Sequence, residues 1–160
     1  MGEIAAFRTR DGGLTPHFCL LFSEKNSSIF IKLTIPLVVH PALQVVSLLS
    51  VEAGTARMLA QVQCSASGID VLLPLLESYP HYCPYEVLVS HLFPLLTVEH
   101  CRKMILEAEG AEREVLLTPL RRAIGSLSPG LHLLGLEACS LRNIGYMLKK
   151  YTSRSVPSPR

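Results

Sequence analysis

The chain has 160 residues, of which 49% are hydrophobic, 18% charged and 6% aromatic. Its charged fraction lies below the roughly 25% of an ordinary soluble domain and its apolar fraction is high, which excludes disorder of the whole chain; its length favours one domain over a multi-domain enzyme. The net charge of +2 conceals a segregation, since residues 1–112 hold 7 Lys/Arg against 11 Asp/Glu, net −4, and residues 113–160 hold 8 against 2, net +6. A basic segment of this kind points to a polyanion, nucleic acid or an anionic membrane surface, with a solvated basic face as the plainer reading.

Residues 1–13 read as a flexible leader closing on the turn signal Asp11-Gly12-Gly13, and they lack the charged start, apolar run and cleavage site of a signal peptide. A single domain follows over residues 14–150. Its first part, about 18–63, contains four β-like runs at 18–22, 29–35, 43–49 and 56–63, separated by polar or Pro/Gly breaks, which predicts an antiparallel meander. Within the second run Ile29, Ile31, Leu33 and Ile35 alternate with Phe30, Lys32 and Thr34, so one face is strongly apolar, and Pro36 marks an edge or the end of pairing because it has no N–H to donate.

Residues 29–51 are the one stretch long enough to span a bilayer, but Lys32, Pro36, His40, Pro41 and Gln44 interrupt it. Lys32 alone would cost ~2.5 kcal/mol or more near the bilayer centre. A pair of buried strands is the better reading, with no membrane partner and a cytoplasmic location. Five cysteines, Cys19, Cys64, Cys83, Cys101 and Cys139, form no CxxC and are odd in number, which argues for reduced thiols. His81-Tyr82-Cys83 and His100-Cys101 lack zinc spacing, so neither a metal nor a cofactor is expected.

From residue 65 the period becomes helical. Ser65 or Ser67 is an N-cap ahead of Ile69, Leu72, Leu73 and Leu76, with the helix starting near Asp70 so that Pro74 falls in its first turn and Tyr79-Pro80 ends it. A second helix starts at Pro84 in the N1 position and stops before Pro94. Thr97 opens a third, with Glu99, Arg102, Lys103 and Glu107 outward, Val98, Cys101, Ile105 and Leu106 as its apolar contacts, and Gly110 as its stop. The fourth, at about 118–131, has Thr118 as N-cap and Pro119 at N1; Leu120, Ile124, Leu127 and Leu131 form a buried stripe that leaves Arg121, Arg122, Gly125, Ser126 and Ser128 outward. A β-hairpin at about 136–149 turns at Arg142-Asn143, where Asn143 tolerates positive φ, and Lys149, Lys150 and Arg154 lead into a disordered basic tail over 151–160.

Strands, three helices, an outward-facing basic helix and a basic-tipped hairpin follow the order of a winged helix-turn-helix domain, an α+β fold with an N-terminal antiparallel sheet, three to four helices and a C-terminal hairpin wing. The segment Ala138-Cys139-Ser140-Leu141-Arg142-Asn143-Ile144-Gly145-Tyr146-Met147-Leu148 resembles the closing hairpin of the OmpR-type (response-regulator C-terminal) DNA-binding domains, roughly Ile-x-Thr-Val-Arg-Gly-x-Gly-Tyr-x-Leu. Arg142, Gly145, Tyr146 and Leu148 match outright. Upstream, residues 69–73, 79–80 and 85–88 are similar to the family's first helix and the segment after it.

The resemblance implies a transcriptional regulator on double-stranded DNA, as a homodimer on tandem half-sites, with no catalytic residues. Arg121 or Arg122 would reach guanine, Ser126 a base or phosphate, Arg142 and Asn143 the neighbouring groove, and Lys149 and Lys150 the backbone. Where the family has Leu-Arg-x-Lys-Leu this chain has Leu127-Ser128-Pro129-Gly130-Leu131, which keeps both leucines and loses both cations. Either the remaining cations carry affinity or the surface has partly decayed into a protein-association module that meets its partner through the sheet or the 97–112 helix. No Ser-His-Asp, Cys-His, paired-carboxylate or phosphate-loop constellation has meaningful spacing, so an enzyme is not expected.

Overall fold

The computed structural model describes residues 21–23, 28–32, 36–52 and 55–152, with side chains described at 37–50 and 55–152. The leader, the start of the first β-like run and most of the tail lie outside them. The described chain is α+β. Strands β1 (Leu21–Ser23), β2 (Ser28–Lys32), β3 (Pro36–His40), β4 (Val45–Glu52) and β5 (Thr55–Gln63) form an antiparallel meander in sequence order. The expected run at 29–35 is divided differently, because Pro36 pairs with Lys32 and opens a further strand. As a first residue Pro36 gives up little pairing, and Leu37, Val38 and Val39 behind it are all buried, which suits the central strand of five. The membrane-length stretch is therefore occupied by three strands and the short turn at Pro41–Leu43. Among the described residues no helix is long and apolar enough to cross a membrane.

Helix α1 (Ala66–Ser78) begins at the expected N-cap, with the Ser65 hydroxyl accepting from the Gly68 N–H at 3.1 Å. It starts four residues before the expected point, so Pro74 lies in its interior and buried. An interior proline costs ~3 kcal/mol. Burial of Ile69, Leu72, Leu75 and Leu76 on the same helix, about 1.5–3 kcal/mol each, outweighs that cost. Strand β6 (Cys83–Pro84) and helix α2 (Tyr85–Leu92) follow, with Pro84 as N-cap rather than N1. Helix α3 (Val98–Glu107) is capped by Thr97, whose hydroxyl accepts from the His100 N–H at 3.1 Å; Cys101 and Ile105 are buried as expected, whereas Val98 in the first turn and Leu106, turned about 100° from Ile105, are exposed.

Gly110 does not stop α3. With φ of +50°, a backbone conformation in which a side chain would be strained, it opens helix α4 (Gly110–Leu133). The fourth helix is thus longer than the expected 118–131. Thr118 is no cap; its hydroxyl donates to the Glu114 carbonyl at 2.8 Å, one turn back, and Pro119 and Pro129 sit inside the helix. The stripe of Leu120, Ile124, Leu127 and Leu131 is buried as expected and extends backward through Leu117.

Strands β7 (Leu136–Leu141) and β8 (Gly145–Lys150) close the chain, and β8 lies between β6 and β7 in a three-stranded sheet. The turn holds three residues, so Ile144 is in it rather than in β8, while Asn143 takes φ of +63° as its side chain permits. Gly145 serves a close approach: a Cβ there would run into the Cys83 carbonyl oxygen across β6. One core joins both sheets and all four helices, with Leu37, Val39 and Val46 packed with Leu72, Leu88, Leu120, Leu131 and Leu148.

Candidate nucleic-acid interface

An α-helix advances about 100° per residue, so the buried stripe of α4 fixes where its other side chains point. Arg122 falls on the crest opposite the core. It is exposed and makes no ion pair with any described residue. Arg121, one position back, leans toward the hairpin side instead. Its guanidinium grips both oxygens of Glu114, two turns earlier, with Nη2–Oε1 at 3.0 Å. That pairing holds the exposed Glu114 carboxyl below the ordinary carboxylate range and raises Arg121.

Ser126 leans the other way, toward α1. Its hydroxyl donates to the Ala123 carbonyl at 2.8 Å and lies 3.3 Å from the Ser65 oxygen that caps α1. With its one hydrogen committed to Ala123, Ser126 accepts from Ser65 and ties two helices together. Its neighbour Leu127 packs so closely on Gly68 that a Cβ there would sit 3.1 Å from Leu127 Cδ2.

At the hairpin tip Arg142 and Asn143 are exposed. The Asn143 carbonyl accepts a hydrogen bond of 3.3 Å from Arg113 Nη2, so the first turns of α4 reach the tip. Sequence reasoning missed Arg113 because it precedes the expected start of the helix, yet it continues the stripe by one step of four from Leu117. The base of the tip is braced by α2: the Tyr85 N–H donates to the Ile144 carbonyl at 3.1 Å, and the Tyr85 and Tyr146 rings meet edge to face with centroids 6.0 Å apart. Burial raises the Tyr146 phenol, with Tyr85 adding to the rise and Arg121 opposing it.

Lys149 and Lys150 stand at the far end of the hairpin, since Lys150 pairs with Leu136 in the strand register and the tip is six residues away along β8. Lys149 bonds Glu137 across the strands at 3.1 Å and is raised by it and by Cys139. The His132 ring stacks on Tyr151 there with centroids 4.0 Å apart, closing the end of α4 over the hairpin base. The seven sequence-nominated residues therefore do not form one cluster. Arg122 lies on the crest, Arg142 and Asn143 at the tip, Lys149 and Lys150 at the base, while Arg121 and Ser126 are engaged in contacts within the fold.

Of the two cations that the resemblance led one to expect in the 127–131 segment, the absence at Gly130 has a physical reason, and nothing in the structure explains Ser128. A Cβ on Gly130 would overlap Val62 Cγ1, so the last turns of α4 are where β5 docks. A long cationic side chain at that position would have to displace the sheet. Comparison with known protein families, characterised proteins and solved structures finds no match to this chain. Among the described residues no three His, Cys, Asp or Glu side chains converge as a metal site; Cys83 and Cys101 are buried, and burial pushes both thiols up.

Proposed function

We propose that the chain is a winged helix module binding double-stranded DNA as a transcriptional regulator, with the crest of α4 in the major groove and the β7–β8 hairpin on the neighbouring groove or its phosphates. The observation that carries this reading is the exposed Arg122, free of any carboxylate among the described residues, on the helix whose first turns reach the hairpin tip through Arg113. The order β6-β8-β7 behind that helix supports it, because it presents the hairpin beside α4 and braces the hairpin against α2. The +6 charge of residues 113–160 supplies the long-range attraction to a polyanion.

Four cations contribute most: Arg113, Arg122, Arg142 and Lys150. Arg121 and Lys149 contribute less because each is already paired with a carboxylate. Four phosphate contacts correspond to a slope of about −3 to −4 in log K against log salt. The four cysteines among the described residues are unbridged, which suits a reducing, cytoplasmic setting, and two copies on tandem half-sites would double the footprint. The test is binding of the full chain to random duplex DNA across a salt series, followed by selection of bound sequences. An enriched motif, repeated in tandem, supports a sequence-specific regulator. Absence of binding at low salt overturns the DNA reading.

A further inference from the structure

Where α3 hands over to α4 the chain makes an elbow, and each helix offers one ridge of residues at i, i+3 and i+4 to the space between them. From α3 these are Met104, Glu107 and Ala108; from α4 they are Glu112, Val115 and Leu116. Together they line an open hollow of about 430 Å³. Its walls are mainly apolar, and Val115 is 73% exposed although most of the other apolar side chains of α4 are packed. A scattered surface valine needs no explanation, but an exposed valine in the wall of an apolar hollow between two helical ridges does.

The charge around the hollow has one sign. Glu107 and Glu112 line it and Glu109 is exposed at the elbow between them. The nearest compensation is Lys103, 3.8 Å from Glu107. A helix dipole accounts for Glu112, close to the N-terminus of α4. It does not account for Glu107, the last residue of α3, where a carboxylate meets the negative end of the dipole. Its i,i+4 pair with Lys103 offsets Glu107 in part, and the remaining acidity of the rim disfavours a second copy placing the same surface against this one.

We infer that the α3–α4 elbow is a docking groove for a lysine- or arginine-rich amphipathic helix, its apolar stripe seated on Met104, Val115 and Leu116 and its flanking cations on Glu107 and Glu112. An apolar floor of Met104, Val115 and Leu116 flanked by carboxylates suits an amphipathic helix, read through anchors at helical spacing. The cationic flanks supply orientation and on-rate, and the apolar seat supplies most of the affinity. Arg122 stands about two turns beyond Val115 on the same helix, so the groove adjoins the proposed DNA face without using its cations.

The experiment uses the full chain and a fluorescent synthetic helix with leucine at i, i+3, i+4 and i+7 and lysine on both flanks, followed by anisotropy. A peptide of identical composition with scrambled order is the control. The expected result is binding of the ordered peptide alone, weakened about tenfold by Val115→Gln and about fivefold, with a flattened salt dependence, by Glu107→Gln with Glu112→Gln. Both substitutions are at exposed positions, and circular dichroism checks that each variant folds. Equal binding of the two peptides, binding indifferent to these substitutions, or no binding overturns the inference. Self-association of the chain that Val115→Gln abolishes, without peptide binding, overturns it too by assigning the groove to a second copy. Duplex binding by the native chain is measured alongside in its own salt series, so failure of the peptide to bind is separable from failure of the DNA reading.

Discussion

The two halves of α4 solve different problems. Up to Arg122 the helix faces solvent on its crest, reaches the hairpin tip through Arg113 and carries all of its arginines. Beyond Arg122 it carries no Lys or Arg, and it packs its flanks: Ser126 joins the cap of α1, Gly130 receives β5, and His132 stacks under Tyr151. One half is a surface and the other is a joint. At Gly130 the sheet needs a residue without a side chain, and the cations of α4 are concentrated in its first half.

The comparison is broken most severely at the glycines. Gly145→Ala puts a methyl group onto the Cys83 carbonyl oxygen and 2.9 Å from its carbon, backbone atoms that cannot swing aside. Urea denaturation is expected to show a loss of about 3 kcal/mol or more, with the β6–β8 pairing lost. Gly130→Ala is milder. Overpacking against Val62 costs about 1–3 kcal/mol while alanine returns about 1 kcal/mol as a better helix former. A net loss of stability with unaltered salt dependence of DNA binding would mark the second half as a joint; stabilisation would contradict the tight docking of β5.

How much of this was legible in sequence follows the same division. The stripe of α4, the caps Ser65 and Thr97, the turn at Asn143 and the hairpin itself were readable because period, cap chemistry and positive φ are local properties. Strand β3 was not, because Leu37, Val38 and Val39 are buried in succession and show no alternation, which is how a central strand looks. The extents of α1 and α4 were misjudged at Pro74 and Pro119, where burial of whole helical faces overrides a local penalty. Of the nominated site residues, exposure of Arg122 and Arg142 follows from the pattern. The engagement of Arg121 by Glu114 and of Ser126 by Ser65 depends on side-chain partners that no spacing specified, and Arg113 was lost with the misplaced start of the helix.

Alkaline titration probes the braced base of the hairpin. Cys83 and Tyr146 are both raised from their usual 9.0 and 10.0 by burial, so the folded state favours their protonated forms. Their contribution is full below pH 9 and is lost as pH rises through the raised folded values. A fall in melting temperature above about pH 9, reduced by Cys83→Ala and Tyr146→Phe, is expected. The Glu114–Arg121 pair acts at the other end of the scale. Because the Glu114 carboxyl is lowered in the fold, the pair's contribution is present above the usual 4.5 and disappears as pH falls through the lowered value. The effect is small for so exposed a pair. Glu114→Gln frees Arg121 and is expected to raise duplex affinity about twofold to threefold, read by anisotropy; reduced affinity would mean that the pair positions Arg121 for contact.

The most direct measurement is the salt dependence of duplex binding for the native chain and for Arg122→Ala with Arg142→Ala, both checked for folding by circular dichroism. A slope of about −3 to −4 for the native chain, made shallower by about 2 in the double variant, is the outcome predicted for a surface built from the crest of α4 and the hairpin tip. Identical slopes for the two proteins, or no duplex binding by the native chain at low salt, would contradict it.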